Sequence, residues 1–163
     1  IISMPNIRQP ILWEAEAMTD DRLIFLIFTA QNKLRTYLNN ALAAAGVRVS
    51  YAQAGIIFLL KQGSIGTMSD LSRLIGVDNS TLTGLVDRLE KAGFVARQAS
   101  STDRRSLSVR VTPEGIAEGE KAKAIIRGVN AEVKEGFSPE ELESFKGVLR
   151  SFFDKFDKQE GRT

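Results

Sequence analysis

The sequence predicts a mainly α-helical fold carrying one small β-hairpin, and three observations predict it. Apolar residues recur at spacings of three and four along most of the chain, which is the period of a helix face. The stretches with that period open on cap residues, and most of them close on glycine. One segment alone, after a polar loop, alternates apolar and polar residues singly, which is the period of a strand.

Thr19 followed by Asp20 and Asp21 opens the first helix, because acids in a first turn meet the positive end of the helix dipole. Leu23, Ile27, Ala30, Leu34, Tyr37 or Leu38, and Ala41 or Leu42 follow on one face, and the helix ends near Gly46. Ile24, Phe25 and Phe28 make its first half hydrophobic almost all round, so it needs a partner besides its own core. Ser50 with Gln53 forms a capping box for a second helix through Ile56, Ile57, Leu59 and Leu60. Gly63 and Gly66 interrupt the chain. Thr67 then caps a short third helix from Met68 to Leu74 or Ile75, which Gly76 stops. Asp78 or Asn79 caps a fourth, running to about Ala92 with Gly93 as its stop. Val95 to Gln98, the polar loop Ala99 to Ser106, and the alternation Leu107, Val109, Val111 make the hairpin. Thr112 and Pro113 open a fifth helix to about Glu135. Ser138, Pro139 and Glu141 open a sixth, striped by Leu142, Phe145, Leu149, Phe152 and Phe156.

Composition narrows the function. The 163 residues suit one compact domain with helical extensions, and 43% hydrophobic with 26% charged content is ordinary for a soluble protein. No apolar run approaches the ~20 residues of a membrane span. No signal-peptide layout is seen, so a cytoplasmic setting is expected. The chain has no cysteine and no histidine. That removes disulfides, thiol switches, the usual zinc sites and the Ser-His-Asp or Cys-His arrangements. Only a hydrolase built on carboxylates remains as an enzyme class. No cofactor or metal is expected.

Net charge is only +2, but its distribution is uneven. Residues 73–112 carry seven Lys/Arg against four Asp/Glu, while residues 113–163 carry nine against eleven. Between Phe94 and Thr112, Arg97, Arg104, Arg105 and Arg110 meet one acid, Asp103. Such a local basic stripe suits a phosphate-facing surface, although a solvated charged loop would look the same.

The short third helix, the Gly-Val turn and the longer fourth helix make a helix-turn-helix unit. Leu82, Leu85, Val86 and Leu89 share a core face of the fourth helix. Ser80, Thr83, Gly84, Asp87, Arg88 and Lys91 share the other. Small hydroxyls near a helix start let a backbone approach a major groove closely, and Arg88 and Lys91 reach the flanking phosphates. An ordinary amphipathic helix would carry the same pattern. The hairpin that follows separates the two, since Arg104 or Arg105 at its tip can enter a minor groove, while Asp103 pairs with an arginine and shapes the loop.

The stretches Ser69 to Gly76, Asn79 to Val95, Asp103-Arg104-Arg105 and Val111-Thr112-Pro113-Glu114-Gly115 resemble the multiple-antibiotic-resistance regulator (MarR) family. The family pattern Asp-x-Arg, five residues, Leu-Thr, two residues, Gly falls on Asp103, Arg105, Val111, Thr112 and Gly115, with Val111 in place of leucine. The resemblance implies a single winged helix-turn-helix domain over residues 1–163. Residues 50–112 would bind DNA, and residues 19–46 and 113–157 would supply dimerisation helices. It further implies a homodimer on a palindromic double-stranded operator, acting as a repressor released by a small ligand. Ser80, Thr81 and Thr83 would lie on the recognition helix, and Asp103 with Arg105 in the wing. Gly84 departs from the larger polar or basic residue that relatives often carry there. An aromatic or phenolic effector is the default expectation, with Tyr37, Tyr51, Phe58 and Arg35 either lining its site or serving the core. The alternative is a winged-helix dimer that binds proteins and not specific DNA.

Overall fold

The computed structural model describes residues 22–63, 68–99 and 107–160. The elements follow in the order α1 (Leu23–Ala44), α2 (Tyr51–Lys61), α3 (Met68–Ile75), α4 (Asn79–Lys91), β1 (Val95–Ala99), β2 (Leu107–Val111), α5 (Pro113–Lys134) and α6 (Pro139–Glu160). This is the mainly helical fold with one hairpin that the hydrophobic periods predict. The expected helix start at Thr19 and the Thr67 cap lie outside the described residues.

Two compact units divide after Thr36. In the first, the opening turns of α1 expose Leu23, Ile24, Phe25, Leu26 and Phe28, with Ile24 at 84%. The second unit holds the core. Leu42, Val47, Val49, Ala54, Ile56, Ile57, Leu71, Leu82, Leu85, Val86, Leu89, Phe94, Val95 and Ala122 form one buried cluster. Around it α2 packs on α5, on β2 and on the α3–α4 pair.

Local chemistry fixes these helices. The Ser50 capping box is complete: Gln53 N–H donates to Ser50 Oγ at 3.3 Å, and Ser50 N–H donates to Gln53 Oε1 at 2.9 Å. Ser138 and Glu141 repeat it before α6, at 3.2 and 2.8 Å. Gly93 ends α4 with φ +77°, a backbone region that favours glycine, and sends Phe94 N–H back to Leu89 O at 2.9 Å.

The join between α4, the hairpin and α5 explains two members of the sequence pattern. Thr112 Oγ1 donates to Gly93 O at 2.7 Å and accepts from Gly115 N–H at 3.0 Å, while Thr112 N–H donates to Phe94 O at 3.0 Å. Gly115 lies so close that a Cβ there would stand 2.0 Å from Phe94 O. One hydroxyl and one missing methyl thus tie the end of the hairpin to the start of α5.

A buried carboxylate makes the second join. Glu118 on α5 is 2% exposed, accepts from Arg48 N–H at 2.5 Å and meets Lys121 Nζ at 3.2 Å. Burial pushes its carboxyl up. The Arg48 N–H and the Lys121 ammonium outweigh that and hold it below the usual glutamate value. The Arg48 guanidinium itself stacks 4.7 Å over the Phe94 ring.

Helix α6 has no fully buried side chain among its described residues. Phe145, Val148, Phe153 and Phe156 are exposed, and Phe152 and Phe156 meet edge to face at 6.0 Å.

Candidate nucleic-acid interface

Helices α3 and α4 are joined by the turn Gly76–Asp78, and its backbone is held from inside. Gly76 N–H and Val77 N–H both donate to Ser72 O, at 2.9 and 3.2 Å, and the Oγ of the buried Ser72 donates to Val77 O at 2.5 Å. Asp78, in extended backbone, then caps α4. Its Oδ1 accepts from Thr81 N–H at 2.8 Å and from the Ser80 hydroxyl, and its Oδ2 accepts from Thr81 Oγ1 at 2.7 Å. These bonds, Ser80's first, hold the Asp78 carboxyl far below the usual range.

Leu82, Leu85, Val86 and Leu89 seat α4 in the core, as their spacing predicts. The opposite face exposes Ser80, Thr81, Thr83, Arg88 and Lys91. Thr83 Oγ1 donates to Asn79 O at 2.7 Å. A Cβ on Gly84 would meet nothing within 4 Å, so the middle of this face is open. Arg88, Lys91 and Arg110 are exposed and form no ion pair among the described residues.

Arg97 departs from the basic stripe read in the sequence. The β1–β2 register pairs Val95 with Val111 and Arg97 with Val109. Arg97 therefore shares the strand face of Val95, which turns inward. Its guanidinium reaches back to α4, with Nη2 2.5 Å from Asp87 Oδ1 and Nη1 2.7 Å from Glu90 Oε2. Its main-chain N–H adds a 3.3 Å bond to Glu90 Oε1. The Asp87 bond raises the Arg97 pKa further, with burial opposing and Glu90 adding to it. Arg97 is a brace between β1 and α4, and its charge is spent on two carboxylates. The signal was available: acids one turn apart on α4, and an arginine of inward parity on the next strand.

The wing residues Asp103, Arg104 and Arg105 lie outside the described residues. Of the aromatic candidates, Phe58 packs against the core cluster. Tyr37 and Tyr51 are exposed, at 47% and 42%. The Tyr37 hydroxyl donates to Glu132 Oε2 on α5 at 2.8 Å, and that carboxylate raises its pKa. Tyr51 N–H donates to Asn39 Oδ1 at 2.9 Å. Arg35, in the first unit, bonds Asn32 Oδ1 at 3.3 Å. No helix of the described residues is long and apolar enough to cross a membrane.

The sequence model of the MarR family matches residues 49–107, from the start of α2 into β2. The HTH-type transcriptional repressor YetL of Bacillus subtilis is 28% identical over 135 residues, which cover 82% of this chain and 80% of YetL. YfiV of the same organism, an HTH-type transcriptional regulator, is 41% identical over 81 residues, half of this chain; the match spans 46% of YfiV's own length. The crystal structure of CouR from Rhodococcus jostii RHA1 bound to p-coumaroyl-CoA superposes with a TM-score of 0.70 at 26% identity, covering 84% of this chain and 95% of CouR. The helix-turn-helix and β1 lie inside the matched segment, which ends on the first residue of β2, and a solved fold is matched over more than four-fifths of the chain; over residues 49–107 this chain is similar to the MarR family.

Proposed function

We propose that the protein is a sequence-specific DNA-binding transcriptional regulator, a homodimeric repressor that acts on a palindromic operator and answers to a small ligand. One observation carries the reading: α4 is seated on the core by its apolar face and turns its hydroxyls, Gly84 and Arg88 outward, within the segment matched by the family model. Ser80, Thr81, Thr83 and Arg88 face the major groove and its rim, and Asp103, Arg104 and Arg105 form the wing. YetL, named a repressor, supports the direction of control. CouR, solved with p-coumaroyl-CoA, supports an aromatic effector.

The dimer follows from uncovered apolar surface. Phe145, Phe153 and Phe156 on α6, and Ile24, Phe25 and Phe28 on α1, are exposed. A second copy removes them from water, and two-fold symmetry sets paired recognition helices ~34 Å apart, one turn of DNA. In this reading the protein works in the cytoplasm and has no catalytic role, and residues 50–112 bind DNA between dimerisation helices at 19–46 and 113–157.

The test is footprinting on the DNA flanking the protein's own gene, titrated at two salt concentrations. A protected palindrome with saturable binding is expected, and Arg105→Ala should weaken binding and reduce its salt dependence in an intact dimer. Equal, weak binding to every fragment, with Arg105→Ala unchanged, would sink the reading and leave a dimer that binds proteins.

A further inference from the structure

Helix α4 presents three hydroxyls to solvent, and each has its single proton committed inside the protein. Ser80 donates to Asp78 Oδ1, Thr81 donates to Asp78 Oδ2 at 2.7 Å, and Thr83 donates to the main-chain carbonyl of Asn79 at 2.7 Å. Chemistry fixes these directions, because a carboxylate and a carbonyl only accept. Asp78 is ionised at neutral pH, since the same bonds hold its carboxyl far below the usual range. What each hydroxyl keeps for an outside partner is its lone pairs.

We propose that Ser80, Thr81 and Thr83 are acceptor-only specificity residues. They select a base that turns an amino group into the major groove, adenine or cytosine, over guanine or thymine on the strand they face. The inference rests on the proposal above that α4 reads DNA. In the major groove adenine offers N6–H and cytosine N4–H, whereas guanine offers O6 and N7 and thymine offers O4 and a methyl group. Against guanine or thymine, an acceptor-only hydroxyl meets a second acceptor. To donate, it must first break its bond to Asp78 or to the Asn79 carbonyl.

The same polarity keeps these hydroxyls off the phosphates, whose oxygens also only accept. Anchoring then falls to Arg88, Lys91 and Arg110, which are exposed. Gly84 completes the arrangement: with nothing within 4 Å of its would-be Cβ, no side chain at that step covers the hydroxyls. A recognition face of this kind discriminates amino from keto bases at each step, and does not name one base.

The experiment is selection from a random duplex pool with the full chain, repeated with Ser80→Ala, Thr83→Val and Thr83→Ser. The wild type should enrich a half-site in which amino bases lead keto bases roughly fivefold at each position facing a hydroxyl, the scale of one net hydrogen bond. Thr83→Val, close in shape, should erase the preference at one position, and Thr83→Ser should restore it. Asp78→Ala, with its fold checked by thermal melting, should admit keto bases at the Ser80 and Thr81 positions by freeing their protons. A guanine or thymine at the position that Thr83→Val erases overturns the proposal, as does a Thr83→Val profile identical to wild type. A wild-type pool no richer than the input overturns the prior reading that α4 recognises bases.

Discussion

Replacing Arg97 with glutamine tests whether this cation serves DNA or the protein. Its side chain is 25% exposed, and its partners Asp87 and Glu90 are 44% and 37% exposed, so solvent screens the pair without dissolving it. Two charge-assisted bonds in that setting fall between surface and buried pairs, and Arg97→Gln should cost about 1–2 kcal/mol. The glutamine also leaves Asp87 and Glu90, one turn apart, without the cation between them. Urea unfolding reads this as a lower midpoint at unchanged slope. DNA binding then separates the roles. A cation that contacts a phosphate contributes about 0.9 to the slope of log affinity against log salt. Arg97, already bonded to two carboxylates, contributes none, so the slope on random-sequence duplex should stay the same. On the proposed function, operator affinity should fall, because β1 loses its hold on α4. The opposite change, Asp87→Asn with Glu90→Gln, frees the arginine and removes two acids, and should steepen the slope. A slope reduced by about 0.9 per protomer in Arg97→Gln, with the unfolding midpoint unmoved, would refute the brace.

Gly115→Ala forces a Cβ to 2.0 Å from a main-chain oxygen that cannot yield, and should cost about 3 kcal/mol. Gly84→Ala, with nothing within 4 Å, should gain about 1 kcal/mol of helix stability, and thermal melting of the two variants should move in opposite directions. Because the Glu118 carboxyl is held below its usual value, its stabilisation is full above the unfolded value of about 4.3 and is lost as pH falls through the folded one. Glu118→Gln should therefore lose about 1 kcal/mol at neutral pH and flatten the acid side of the stability profile; an unchanged profile there would count against the join. Phe153→Asp places a charge on an exposed side chain of α6, so sedimentation should show a folded monomer, and a persistent dimer would move the interface off this helix.

The parts of this molecule that were legible in the sequence are those fixed within one turn of chain. Ser50 with Gln53 and Ser138 with Glu141 each needed only a hydroxyl and an amide or carboxylate three residues on, and both boxes are present. The core face of α4 followed from spacing alone, because Leu82, Leu85, Val86 and Leu89 can share only one side of a helix. What escaped reading was partnership across elements. Arg97 counted as a free cation because a charge tally has no parity, whereas the strand it sits on turns alternate side chains toward α4. Glu118 is buried against the Arg48 N–H, and nothing near it in sequence announces that partner. Tyr37 and Tyr51 were assigned to either core or ligand by their aromatic character; both are exposed and so outside the core, and Tyr37 is oriented by a carboxylate contributed by α5. The proposed recognition face lies between these cases. Ser80 and Thr83 could be named from helical period and Thr81 only from the family resemblance, but the polarity they offer a partner depends on where three protons go. That is settled by Asp78, in the turn before the helix, and by a carbonyl within it. Charge and hydroxyl content therefore locate such a surface, and the internal bonds of its side chains decide what it can read.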